Sequence, residues 1–354
     1  MNLKSFLQVF GLIAVIFTLL PFVAMDYWWI RVFDFPHTQL TILTLVAFLV
    51  YFFRFDMRSW RDYFFSFILG SCFLFQLLKI FPYTPFAEPE VGKSLSTDFD
   101  NSISLLVANV LQSNRNIELL LKEIQKRDPD LVVLTETNKW WKDQVSSSLQ
   151  DQFPYRVEMP LENTYGMLLY SKHELFDAKV RFLIEDSIHS IHTLLKLPSE
   201  NYIQIHSIHP TPPMPQHNPS SSDRDAEMMT VAIMAKEAIY PVIVTGDFND
   251  VAWSNTTSLF QQVSGLLDPR VGRGFYNTYN ANNWLLRWPL DHLFVSEEFR
   301  SIELLLGGHI GSDHFPLYAK LSLEPEYAAD QKMPSPSEKD VQRADETIAK
   351  EEKE

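Results

Sequence analysis

The sequence predicts three membrane-spanning helices followed by an α+β sandwich and a charged tail. Three observations predict it. The first 81 residues are almost uniformly apolar, residues 101–323 alternate short β-rich runs with helical ones, and the last 31 residues are almost uniformly charged. At about 100–200 residues per domain, a chain of 354 residues allows two or three units. The formal charge of −14 weighs against a protein that grips nucleic acid by bulk charge alone. The single cysteine, Cys72, excludes an intramolecular disulfide framework and a zinc ribbon. Its apolar surroundings predict a buried, inert thiol.

Residues 1–81 form the expected anchor. Runs at 6–25, 38–53 and 63–78 lack charge, and Lys79 closes the third. A spanning helix needs about 20 apolar residues, so the first run qualifies outright and the shorter two need interfacial anchors. Tyr27, Trp28, Trp29, Trp60 and Tyr63 supply them at the boundaries, where amphipathic rings favour the headgroup region. A cleavable signal peptide is the rival explanation for the first run. Two further apolar runs and the lack of a small-x-small cleavage site favour an anchor. For the second run the rival is a buried core helix, which leaves its aromatic flanks without a purpose. The link between the second and third runs carries Arg54, Arg58 and Arg61, whereas the link between the first and second carries only Arg31 against Asp26 and Asp34. Positive loops stay in the cytoplasm, so three crossings place everything after Phe81 outside. The expectation is a multi-pass protein of the cell (inner) membrane with an extracytoplasmic domain.

Pro82, Pro85 and Pro89, with Glu88 and Glu90, predict an extended linker over 82–100. Within the domain, strands are expected at 102–107 and Leu131–Thr135. They are joined by a helix over Ile117–Arg127, where Ile117, Leu120, Leu121 and Ile124 share one face. Asp128-Pro129 ends that helix. Further strands are expected at 166–170, 191–197, Tyr202–Ile208, 242–245, 290–295 and Leu317–Leu323, with helices at 140–149 and 223–238. Many strands and fewer helices predict stacked sheets between helices. The tail, 324–354, has ten acidic and five basic residues and is expected to be disordered.

Polar residues recur where apolar strands end. Asn109 follows SLLVA, Glu136 follows LVVLT, and His209 closes the strand that begins at Tyr202. Asp247 and Asn249 lie in VIVTGDFND, Asp291-His292 opens the strand LFVS, and Asp313-His314 sits in GSDHFPLYAKL. Strand ends share a sheet edge, so these side chains can converge on one cleft. Carboxylates and carboxamides are hard oxygen ligands that suit Mg²⁺ or Mn²⁺, and nearby imidazoles suit proton transfer. Each residue also has a plainer explanation: Asn109 as a turn residue, Glu136 as a solvated edge, GDFND as a turn, SDH as a cap. His189, His192, His206 and His209 invite zinc, but residues three apart on a strand face opposite sides, so neither HxxH pair chelates one ion.

In their order along the chain, the motifs VANV, LVVLTETN, the strand ending in His209, VIVTGDFND, PLDHLFVS and GSDHFPL resemble the endonuclease/exonuclease/phosphatase superfamily, the DNase-I-like phosphoesterases. HPTPPMP with Arg224-Asp225, and Trp253-Ser254 after GDFN, are similar to a membrane-anchored bacterial branch. The resemblance implies a four-layer α/β/β/α sandwich over 101–323 and a metal-dependent phosphoesterase activity. It implies that Glu136 is the principal Mg²⁺ ligand, that Asn109 supports the metal shell, and that Asp313 is a second carboxylate at or beside the ion. It implies that Asp247 and Asn249 position or deprotonate the attacking water and bind phosphate. His314 would be an acid/base or phosphate donor oriented by Asp291, and His209 the other imidazole at the scissile phosphate. Leu111 stands where nucleases of the family often carry a polar residue, which weighs against a second metal site there.

The implied partners are a phosphate-ester substrate, nucleic acid or lipid head group, and the bilayer; no obligate protein partner is expected. By sequence, 82–323 has a net charge of −11 and no basic cluster, which disfavours duplex DNA. The tether makes a phospholipid or phosphorylated-lipid head group the alternative substrate. An inactive tethered binding module is the other alternative, with loss of Glu136, Asp247 or His314 as its expected mark, and all three are present.

Overall fold

The computed structural model describes residues 2–23 and 26–351; the end of the first expected span (24–25) and of the tail (352–354) lie outside the described residues. Helix α1 (Leu3–Leu19) is capped by Asn2, whose side chain accepts from the Ser5 amide at 2.8 Å, and a tight turn extends it to Phe22. One helical turn, α2 (Trp28–Arg31), lies in the connecting segment. Helices α3 (His37–Tyr51) and α4 (Trp60–Ile80) run on to Arg54 and Tyr83. The three resulting segments, of 20, 18 and 24 residues, are long and apolar enough to cross a membrane. They pack through Ala14, Ala47, Leu69 and Cys72, with a Gln76–Thr18 hydrogen bond of 2.5 Å inside the bundle. Phe6, Leu12, Ile42 and Phe67 face outward, so the apolar residues lie outside as well as between the helices.

After the anchor come two sheets. One has the order β10-β11-β1-β2-β4-β3, from β1 (Ser102–Asn109), β2 (Leu131–Thr135), β3 (Tyr155–Met159), β4 (Met167–Ser171), β10 (Phe299–Leu306) and β11 (Leu317–Leu323). The other runs β5-β6-β7-β8-β9, from β5 (Leu175–Arg181), β6 (Ser190–Lys196), β7 (Tyr202–Ile208), β8 (Val242–Asp247) and β9 (Asp291–Val295). The two-residue period of β1 explains the layering. Leu105 and Val107 point into the core between the sheets, beside Ile205 and Ile243. Leu106 and Ala108 point the other way, under helices α5 (Ile117–Arg127) and α6 (Lys139–Leu149). Val244 and Phe294 likewise meet α7 (Ser222–Lys236) and α8 (Asn255–Ser264) outside the second sheet. The result is the expected four-layer α/β/β/α sandwich behind three apolar helices.

Three parts differ from expectation. Strands β3, β5 and β10 and helix α8 had no sequence signal: β3 and β5 are edge strands with mixed, largely solvated composition. The linker is not a free spacer. Tyr83 Oη donates to the Ala252 carbonyl at 2.7 Å, Val91 is wholly buried in the central core, and Glu90 accepts from the Asp268 amide at 2.9 Å. The tail, expected disordered, contains helix α9 (Glu338–Glu351), which buries Ala344 and partly buries Ile348 against α7 and α8. Val341, Ala344 and Ile348 do share a helical face, a short period hidden among charges.

Candidate active site

Parallel pairing puts the ends of β1 and β2 together, and those of β7 and β8 together, at one edge of the sandwich. Antiparallel β9 begins there because Asp247 pairs with Asp291, and the segment before β11 arrives there because Val107 pairs with Leu317. All eight residues singled out in the sequence meet at this edge. Glu136, His209, Asp247, Asn249, Asp313 and His314 line a cleft of about 640 Å³, with Asn109 and Asp291 behind them.

The Asn109 carboxamide joins the two halves. Its nitrogen donates to Glu136 Oε1 at 2.8 Å and to Asp247 Oδ2 at 3.0 Å, and its oxygen accepts from the Leu111 amide at 3.0 Å. Asp247 Oδ2 also lies 3.8 Å from His209 Nε2 and 3.7 Å from His314 Nε2. His314 Nδ1 is 2.7 Å from Asp291 Oδ2. Ser312 ties this corner down, donating to the Asn109 carbonyl at 2.8 Å and accepting from the His314 amide at 3.0 Å. The local backbone is unusual: Leu111, Glu136 and Asn249 all have left-handed φ, near 58°, 57° and 49°. Gly246, at φ 139°, is required because a Cβ there would lie 1.9 Å from the Ile208 carbonyl oxygen.

The two imidazoles are driven apart in charge. Burial works against a charged His314, but the carboxylates of Asp291 and Asp247 outweigh it and raise its pKa to about 10. His209 is held below its ordinary value because burial outweighs the pull of Asp247 and Glu136. One ring is a proton donor at neutral pH and the other a neutral base.

The donor set fits a hard cation. Among the described residues, no Lys or Arg comes within 4.0 Å of a carboxylate oxygen of Glu136, Asp247, Asp291 or Asp313, and the one cysteine lies in the helical bundle. Against these four carboxylates stands the cationic His314 ring, at 2.7 Å from Asp291 and 3.7 Å from Asp247, so the cleft keeps an excess of negative charge. Asp247, Asp291 and His314 bring ligand atoms within 4.8 Å of one another, a possible acidic metal site, but Asp291 and His314 are already bonded to each other. The four strand histidines do not gather: His192 faces His206 across β6 and β7, Nδ1 to Nδ1 at 2.5 Å, and burial lowers their pKa values to about 3 and about 4.

Further contributors surround the site, of which Gln112, Tyr165 and Tyr279 carried no readable signal. Gln112 donates its amide to Glu136 at 3.3 Å. Tyr165 packs on His209 and Tyr279 on His314. Arg224, wholly buried, donates to the Asn249 carbonyl at 2.9 Å and pairs with Asp225 and Asp250, which pins the GDFND loop and explains its Arg-Asp companion. Trp28, Val32 and Phe35, from the segment between α1 and α3, form part of the cleft wall.

Comparison with known proteins identifies the family and the fold. The family model described as Endonuclease/Exonuclease/phosphatase family matches residues 106–314. A humanized D. rerio TDP2 superposes with a TM-score of 0.53 at 16% identity, covering 63% of this chain and 99% of that chain. The human Nocturnin catalytic domain with bound sulfate gives 0.51 at 18% identity, covering 64% and 96%. An endonuclease/exonuclease/phosphatase from Beutenbergia cavernae gives 0.51 at 14%, covering 63% and 72%. At these identities the likeness is one of fold. No curated protein matches the sequence.

Proposed function

Because the chain belongs to the endonuclease/exonuclease/phosphatase family, we propose that it is a membrane-anchored hydrolase of phosphate esters that works with Mg²⁺ or Mn²⁺. The single observation that carries this is the Asn109 bridge, which joins two carboxylates that no Lys or Arg among the described residues pairs with, beside imidazoles of opposite charge tendency. Glu136 and Asp313 would hold the ion, with Asn109 fixing the Glu136 carboxylate. Such an ion supplies charge neutralisation at the phosphate and Lewis acidity.

The chain's own groups cover the rest of hydrolysis, in which water forms one P–O bond and another breaks. Asp247, its Oδ1 fixed by the Asn249 amide at 3.0 Å, is placed to orient water and accept its proton. Asn249 is anchored by Nδ2 on the Pro210 carbonyl at 2.9 Å, leaving its second amide hydrogen and its oxygen for water or phosphate. His314, cationic and held by Asp291, donates a proton to the leaving oxygen or a hydrogen bond to the phosphate. His209, neutral, completes the wall that faces the substrate. The three apolar helices are the anchor over 1–81, and residues 101–323 are the catalytic domain, outside the cytoplasm.

The test is hydrolysis of bis(4-nitrophenyl) phosphate by the purified full chain in detergent, with a monoester, DNA, RNA and lipid panel beside it. Hydrolysis should appear only with Mg²⁺ or Mn²⁺ and vanish with chelator. Activity indifferent to chelator, or none on any phosphoester, overturns the proposal.

A further inference from the structure

Residues 280–287 leave the cleft as a hairpin whose base is part of the site. At that base the Tyr279 amide donates to the Trp288 carbonyl at 2.9 Å, and both side chains line the cleft. Trp288 meets Phe35 edge-on at 5.7 Å, which joins the base to the segment between α1 and α3. The tip is a built turn: Asn283 Oδ1 accepts from the amides of Leu285 and Leu286 at 2.9 and 3.0 Å. It turns Trp284, 83% exposed, together with Leu285 and Leu286, outward. Three consecutive large apolar side chains fixed outward on an ordered turn need an apolar neighbour.

The neighbour is identified by height. Gln39 Nε2 donates to the Leu285 carbonyl at 2.7 Å. Gln39 is two residues into α3, so at about 1.5 Å per residue the tip stands level with the first turn of an apolar helix. Beyond that turn Ile42, Val46 and Leu49 are exposed on α3, and Tyr27, Trp28 and Trp29 supply an aromatic collar at the same end. The tip is thus continuous with the surface that the bilayer covers. A protein partner seated there would compete with lipid. The cleft adds a second, independent sign. Its floor is the carboxylate and imidazole cluster, whereas one stretch of its wall is apolar, built from Val32, Phe35, Met214, Trp288 and Leu290, and among the described residues no Lys or Arg lines it. A polar floor under an apolar wall that starts at a helix end is the shape of an amphiphile.

We propose that the Trp284-Leu285-Leu286 tip seats in the leaflet that surrounds the helix ends, and that the cleft takes its phosphoester from a lipid carried in that leaflet. The proposal rests on the phosphoesterase assignment for the same site and adds its substrate class. The chain's one cysteine makes a clean test. With Cys72→Ser, a single cysteine placed by Trp284→Cys carries an environment-sensitive fluorophore, in full-length protein reconstituted into phosphatidylethanolamine–phosphatidylglycerol vesicles. Ile239→Cys, 91% exposed and near the opposite end of β8 from Asp247, is the control. The label at 284 should be quenched by spin-labelled lipid and the label at 239 should not. A label at 284 as solvated as that at 239 overturns the leaflet contact, whatever the activity. In parallel, hexadecyl 4-nitrophenyl phosphate in the vesicles should be hydrolysed at least about tenfold faster than soluble ethyl 4-nitrophenyl phosphate, about 1.4 kcal/mol. Trp284→Ser with Leu285→Ser and Leu286→Ser should lower that ratio. Equal rates overturn the lipid-substrate assignment while leaving the phosphoesterase reading intact. No hydrolysis of either diester overturns both, and the label at 284 still decides the contact.

Discussion

His314 and His209 reach one cleft from different strands, and their neighbours separate them: two carboxylates keep the first cationic and burial keeps the second neutral. Replacing His314 by Ala should cost roughly 10²–10⁴-fold in kcat, with no rescue by saturating metal, since a proton or phosphate donor is lost. Asp291→Asn keeps the shape of the pair but removes one of the charges that raise His314. Activity that needs protonated His314 persists to high pH and falls as pH rises through about 10, so in Asp291→Asn the alkaline limb should move to lower pH. The double variant should cost little more than His314→Ala alone, because both changes act through one group. Glu136→Gln should chiefly weaken Mg²⁺ dependence and be partly rescued by excess metal, and Asn109→Ala should weaken metal affinity about 10–100-fold as an outer partner. Metal titrations of the rate separate these from His314→Ala, and unchanged titrations in both would remove Glu136 and Asn109 from the site. These eight residues were legible because each sits at or next to an end of an apolar strand, and strand ends of one sandwich converge. Gln112 and Tyr165 were not, because an amide that braces a carboxylate or a ring that packs on an imidazole looks like any other loop residue until the chain is folded.

At the scale of elements, α9 decides what the tail is for. Its apolar face is short, yet it buries Ala344 against α7, and Lys350 pairs with Asp26 beside the end of α1. Ending the chain before Ser337 should therefore lower the melting temperature of the protein in micelles. Burial of a few methylenes at about 0.8 kcal/mol each comes to about 2 kcal/mol, or about 4–8 °C for a domain of this size. An unchanged melting curve would show that the helix contributes nothing to the fold. The same contrast explains what could be read in advance. Central strands such as β1 and β8 are buried on both faces and stand out as apolar runs, whereas β3 and β5 lie at sheet edges with one face wet. Helix α9 failed to show for a related reason: three apolar positions are too few to be seen among ten acidic and five basic residues in one tail.

For the whole molecule, the remaining question is which side of the membrane the cleft faces, and the two ends of the bundle answer it separately. At one end the segment between α1 and α3 is built into the domain: the Trp28 amide donates to the Pro219 carbonyl at 2.9 Å, Trp253 Nε1 to the Asp34 carbonyl at 2.7 Å, and Arg31 reaches Asp225 at 4.0 Å. Tyr83, at the exit of α4, joins the domain at the same end. The domain and the first connection therefore share a side. The second connection, with Arg54, Arg58 and Arg61, lies at the far end of α3 and α4. Arginines resist translocation, so the proposed topology puts that end in the cytoplasm and the domain outside. Reporter fusions after Arg61 should read as cytoplasmic and fusions after Lys93 as exterior. Replacing all three arginines by Gln should weaken that preference, because the first connection holds one cation against two carboxylates. A cytoplasmic reading after Lys93 would mean that the orientation is reversed, since the contacts at Trp28, Asp34 and Tyr83 keep the first connection and the domain together. The cleft would then meet the inner leaflet and the cell's own nucleotides instead of the phosphoesters outside.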